Sequence, residues 1–138
     1  MEPLPRYRTR KAIDELAVEL NLPNESWMQD WPYEVVVHSD IDRFFAHYKR
    51  LLDEDKKFLL MQAIIQAIEE QPTETLFIKL WDKAKTILEK EFTLHEYTIY
   101  YWACLDTEDI EDCWRITPVM RELWNEVKCK VSIDSIQI

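Results

Sequence analysis

FLLMQAIIQAI, residues 58–68, is the stretch that decides how the rest of the chain is read. Phe58, Met61, Ile64, Ile65 and Ile68 recur at three and four residues, the spacing of one helix face. The segment is also apolar over much of its circumference, which marks a helix surrounded by other helices rather than one lying on a surface. It runs to about Gln71, where Pro72 breaks it. The remaining elements are therefore expected to pack around this one.

Upstream, Ser39 opens a helix, with Asp42 three residues on as a near variant of the capping box. Ile41, Phe44, Phe45, Tyr48, Leu51 and Leu52 form its apolar face, and residues 53–55 make a tight corner before the central helix. Thr9 caps a first helix over roughly 10–21, with Ile13, Leu16, Ala17 and Leu20 as its stripe, and Pro23 ends it. Asn24 caps a short helical turn through Trp31, stopped before Pro32. YEVVVH, residues 33–38, is β-branched, but a lone strand has nothing to pair with, so a buried extended connector is expected.

Downstream, Thr73 or Thr75 caps a helix that reaches about Phe92. Leu76, Phe77, Leu80, Trp81, Ala84, Ile87 and Leu88 recur at helical spacing, and Lys79, Lys83, Lys85 and Lys90 mark the outer face. Thr93-Leu94-His95-Glu96 reads as a capping box for a helix ending near Cys104 or Leu105. Thr117-Pro118 starts the last helix, with Val119, Met120, Leu123, Trp124 and Val127 inward to about Lys128. The tail VSIDSIQI, residues 131–138, alternates apolar and polar residues and is expected to dock in extended form or to fray. The fold class expected is all-α: a single domain of about six helices, as an antiparallel bundle or stacked helical hairpins, without a substantial sheet. Residues 1–8 form an arm and 129–138 a tail, each flexible or docked in extended form.

The chain contains no glycine. About 7% is usual, so roughly ten would be expected at this length. Glycine supplies left-handed turns and close backbone approach to ligands. Its absence removes the phosphate-binding Walker loop, the dinucleotide fingerprint, the EF-hand and the GxSxG elbow together. The acidic run of residues 106–112 is accordingly not read as a calcium loop.

The net charge is −10, spread unevenly: residues 1–11 carry +3 and the remainder −13. A body this acidic repels nucleic acid and favours basic partners. The arm from Arg6 to Lys11 offers only weak, salt-sensitive nucleic-acid binding. The apolar runs are too short for a signal peptide or a membrane span, so a cytoplasmic protein with no membrane association is expected. Cys104, Cys113 and Cys129 show no CxxC spacing and read as free thiols in a reducing compartment. Neither Cys104, at a helix C-terminus, nor Cys113, among carboxylates, looks activated. His38, His47 and His95 fit neither HExxH nor ExxH, so no metal and no cofactor are expected.

The most informative local cluster lies between His95 and Trp114. Tyr97 and Tyr101 share a helix face with Cys104, while Tyr100 is read on a different face. Asp106, Glu108, Asp109, Glu111 and Asp112 follow in one loop, and then Trp114. Aromatics beside carboxylates describe a surface for a basic protein partner. The competing reading is that these rings simply fill the core. The expected function is a non-enzymatic, acidic protein-binding module; an immunity or inhibitor protein neutralising a basic partner is its specific version. The general look, small, acidic and all-helical without catalytic motifs, is similar to that of toxin-neutralising immunity proteins. A homo-oligomeric helical protein with exposed rings as its homodimer seam is the second reading, and a metal-dependent helical enzyme the third.

Overall fold

A computed structural model describes residues 2–136, with side chains as far as residue 130. The chain is all-α: among the described residues there are seven α-helices and two 3-10 turns, and no strand. The helices are α1 (Arg10–Glu19), α2 (Trp31–Glu34), α3 (Ile41–Tyr48), α4 (Glu54–Glu69), α5 (Glu74–Lys90), α6 (Phe92–Ala103) and α7 (Thr117–Ile136). Two compact units emerge from the packing. One is Arg6–Ala84; the other begins at Lys85 and includes the residues ahead of Arg6. The division falls inside α5.

In the first unit α4 is the hub, packing against α1, α2 and α3. Phe58, Leu59, Leu60, Met61, Ile64, Ile65 and Ile68 are all buried, so nearly its whole circumference is covered, as its composition predicts. Its polar residues are matched. Gln62 accepts a hydrogen bond from Arg8 Nε at 2.8 Å, and Gln71, just beyond the helix, donates to the carbonyls of His38 and Ala67 at 3.0 Å each. The helix starts where Asp53 accepts a hydrogen bond from the Lys56 amide at 3.0 Å.

Helix α1 keeps its expected Thr9 cap and buries Leu16, Ala17 and Leu20. Its C-terminus needs a left-handed residue, and with no glycine in the chain Asn21 supplies it at φ 53°. The Asn21 amide donates to Val18 O at 3.3 Å and the Leu22 amide to Ala17 O at 2.8 Å, a Schellman closure. Asn tolerates this conformation better than other side chains.

Four expectations for this unit are corrected. Residues 33–38 do not form an extended connector: Tyr33 and Glu34 belong to α2, Val35 keeps a helical backbone and His38 belongs to a 3-10 turn. Pro32 does not stop a helix but sits in the first turn of one, where a missing N–H costs nothing. Glu34 then accepts from the Asp30 amide at 3.2 Å, and the buried Trp31 indole donates to Pro23 O at 2.7 Å. Ser39 is not an N-cap; it lies in a 3-10 turn over His38–Asp40, whose helical backbone leads straight into α3 and leaves no extended residue to cap it. Leu52 is 92% exposed, because α3 ends at Tyr48 and the chain has left the helix register by then.

At the start of α5, Thr73 accepts a hydrogen bond from the Leu76 amide at 3.2 Å. In the second unit α6 packs on α7. The expected Thr93 capping box is not used. The chain turns from α5 into α6 at the single residue Glu91, whose carbonyl accepts from Leu94 at 3.1 Å and His95 at 3.3 Å. Those amides are thereby satisfied without the Thr93 hydroxyl. Met120, Leu123 and Trp124 of α7 are buried, and the backbone of α7 continues helical to Ile136. The extended form expected from residue 131 is corrected in backbone as far as Ile136; the last two residues of that tail lie outside the described ones. Among the described residues no helix is long and apolar enough to cross a membrane.

Candidate functional site

The site is built on the C-terminal half of α6 and the loop behind it. Tyr97, Tyr100 and Tyr101 stand at i, i+3 and i+4, which places all three on one side of a helix. Tyr100, read from the sequence as lying on a different face, is part of this one. Together with Trp114, Asp106 and Glu2 they line a cleft of about 350 Å³. Cys104, Leu105 and Thr107 complete its lining.

The rings are fixed from behind. Tyr100 packs on the buried Trp124 at 5.5 Å between ring centroids. Trp114 lies 5.1 Å from Tyr101 and 4.7 Å from the buried Trp102. The aromatic cluster therefore divides: Trp102 and Trp124 belong to the core, as the packing alternative expects, whereas Tyr101 remains 44% exposed and Tyr97, Tyr100 and Trp114 are half-buried. Lys128 reinforces the back wall, 4.7 Å over the Trp124 ring while it pairs with Glu96.

Two polar devices set the loop. Helix α6 ends at Cys104, which adopts a left-handed backbone at φ 52°, ψ 46°. The buried Thr117 hydroxyl donates to Trp102 O at 2.9 Å and accepts from the Trp114 amide at 3.2 Å, holding Trp114 beside α6. Arg121 Nη2 donates to the carbonyls of Cys104 at 2.6 Å and Thr107 at 2.7 Å, while its Nε donates to Ala103 O at 2.6 Å. Ala103 O lies at the end of α6, while the Cys104 and Thr107 carbonyls belong to the cap and the loop, so one guanidinium caps the C-terminus of α6 and ties down the loop at the same time.

The field in the cleft is negative. Burial first, then the charges of Glu2 and Asp106 and a hydrogen bond to Glu2, push the Tyr100 hydroxyl above the usual tyrosine range. The other acidic residues of the loop stand outside the lining. Glu108, Asp109, Glu111 and Asp112 are exposed, the last two in a 3-10 turn over Ile110–Asp112 that Asp109 caps through the Glu111 amide at 3.0 Å. Of the nine sequence candidates the structure thus gathers Tyr97, Tyr100, Tyr101, Asp106 and Trp114, and leaves four carboxylates as a solvated flank. Glu2 was missed; it lies at the other end of the chain, in a segment read as basic, and carries no local signal.

The Cys113 thiol matches the unactivated reading. All three cysteines are free. A hydrogen bond with Cys104, and then burial, raise the Cys113 thiol above its ordinary value. Cys104 Sγ also lies 3.4 Å from the Thr107 hydroxyl. Among the described residues no group of three His, Cys, Asp or Glu side chains is placed to hold a metal ion. The first unit has a cleft of its own, about 610 Å³, with His38, Asp42, Leu76, Lys79, Leu80 and Lys83 in its lining. Lys83 there lies 4.5 Å over the Phe45 ring, so one of its cations is already engaged. Compared with protein-family models, with curated proteins and with solved structures, the chain matches none.

Proposed function

We propose that this chain is a non-enzymatic binding protein of the cytoplasm that grips a basic protein partner through the α6–loop face, with an immunity or inhibitor role as the specific version. The observation that carries the reading is the meeting of partly exposed rings and carboxylates. Tyr97, Tyr100, Tyr101 and Trp114 line one cleft with Glu2 and Asp106, flanked by four exposed carboxylates. Tyr and Trp are the side chains that most often anchor interfaces, since they bury a large surface and keep a polar tip. The flanking charges act at longer range, by steering a cationic partner during encounter.

The test uses the full chain and a variant with Asp106, Glu108, Asp109, Glu111 and Asp112 changed to Asn or Gln. A partner captured at low salt is expected to be basic, to associate roughly ten-fold more slowly with the neutralised variant, and to lose its rate advantage as ionic strength rises. Failure to capture a basic partner, or equal association rates for both proteins at all salt concentrations, overturns the reading.

A further inference from the structure

We propose that the α6–loop cleft is a receptor for an alkylammonium group, delivered as a lysine side chain of the basic partner. The inference rests on the binding reading above and names what enters the cleft.

Three features converge on this chemistry. Aromatic rings attract cations through their quadrupole, and Tyr97, Tyr100, Tyr101 and Trp114 bring four such side chains to the lining of one small space. Two carboxylates, Glu2 and Asp106, stand in the same lining, so a cation entering there meets opposite charge as well as ring density. A cleft of about 350 Å³ is also the right scale: it lies near the lower end of ligand pockets, roughly 300–1,000 Å³, and suits one side chain better than a cofactor.

The loop's own cations do not fill it. Arg121 spends its donors on the carbonyls of Ala103, Cys104 and Thr107, and Arg115 is exposed and contributes nothing to the lining. The same pairing is used elsewhere within the fold, where Lys83 lies over Phe45 and Lys128 over Trp124 at 4.5 and 4.7 Å. A lysine is favoured over an arginine because the ammonium is a compact charge on a slender stem. The apolar stem can lie along Leu105 and the rings while the charge reaches the carboxylates.

The experiment titrates the ¹⁵N-labelled full chain with Nα-acetyl-lysine methylamide. Its Nε-trimethylated form, the neutral norleucine analogue and free choline are titrated separately. The Trp114 indole resonance, assigned with Trp114→Phe, is followed together with the amides of Tyr97 and Tyr100. Saturable shifts confined to these residues are expected with both lysine probes and none with norleucine. Trp114→Ala is expected to weaken the lysine probe by roughly three- to thirty-fold, with Trp114→Phe retaining most of the affinity. Should Trp114→Ala fail to fold, the exposed change Asp106→Asn serves instead and is expected to weaken binding several-fold.

Equal shifts with lysine and norleucine probes, or shifts dispersed over the acidic surface, overturn the proposal. Saturation by choline without saturation by either lysine probe also overturns it, in favour of a free quaternary amine. The two readings fail separately. A salt-sensitive basic partner that dissociates from Trp114→Ala as slowly as from the parent sinks the lysine receptor and leaves the binding module standing. Lysine-probe binding with no basic protein partner does the reverse.

Discussion

At the scale of single residues, Cys104 is the clearest oddity. A side-chain-bearing residue in the left-handed region costs about 1–2 kcal/mol, and here it sits where a helix C-terminus ordinarily carries glycine. Cys104→Gly is expected to raise stability by about 1 kcal/mol, a shift of roughly 3–5 °C in Tm, after allowing for the greater freedom glycine gives the unfolded chain. Cys104→Ala removes the thiol's contact with Thr107 but keeps the backbone strain, so it is expected to gain nothing. Thermal unfolding of both variants checks this, and equal Tm values for the two would show that the backbone at 104 is not strained. Nothing in the sequence singles out Cys104 for this role, because glycine is the usual marker and the chain has none. Asn21 is more legible in principle, since Asn is the common substitute, but the nearby Pro23 reads equally as the helix stop.

At the scale of elements, Lys56 of α4 bonds Glu15 and Glu19 of α1, and His47 of α3 meets the same Glu19 carboxylate at 2.7 Å. Burial pushes the Glu19 carboxyl upward, but the hydrogen bonds from Lys56 and His47 outweigh it and the net shift is below the ordinary 4.5. A depressed carboxylate stabilises the fold above its unfolded pKa and loses that contribution as the pH falls through its folded one. Glu19→Gln is therefore expected to cost about 1 kcal/mol at neutral pH, at the upper end for a partly exposed pair, and the difference from the parent is expected to close below about pH 4.5. Urea unfolding at a series of pH values measures it; a difference that persists unchanged into acid would assign the effect to packing. Which elements were legible follows the same physics. Helix α4 was readable because burial on all sides leaves an apolar sequence, and α1 because an amphipathic stripe follows a Thr cap. Helix α2 was not, since a proline reads alike as a stop and as a first-turn residue until the hydrogen bonds of Asp30 and Glu34 are seen. The Thr93 box failed for the converse reason: its pattern was complete, but the one-residue corner at Glu91 starts α6 at Phe92, so Thr93 lies inside the helix and not at its N-cap.

At the scale of the whole molecule, the net charge of −10 and the absence of glycine are simple counts, and the second removes the Walker loop, the dinucleotide fingerprint, the EF-hand and the GxSxG elbow. The candidate site was half legible. Helical spacing placed Tyr97 and Tyr101 together, but only the folded chain brings Glu2 to Tyr100 and separates Asp106 from the carboxylates of the flank. The burial of α4 has a consequence for how the first unit opens. Amides on a helix enclosed by three others exchange with solvent only when those neighbours leave, so they sample the cooperative opening of the unit, whereas the four-residue α2 is short enough that it is expected to open locally. Native-state hydrogen exchange is expected to show the amides from Leu60 to Ile68 converging on one opening free energy, the largest in residues 6–84, with α2 exchanging far sooner. Faster exchange in α4 than in α1 would remove it from that position. If it holds, one helix serves as the unit's clock: its slowest amides give the global stability directly, and any ligand of that unit can be weighed by how far it slows them.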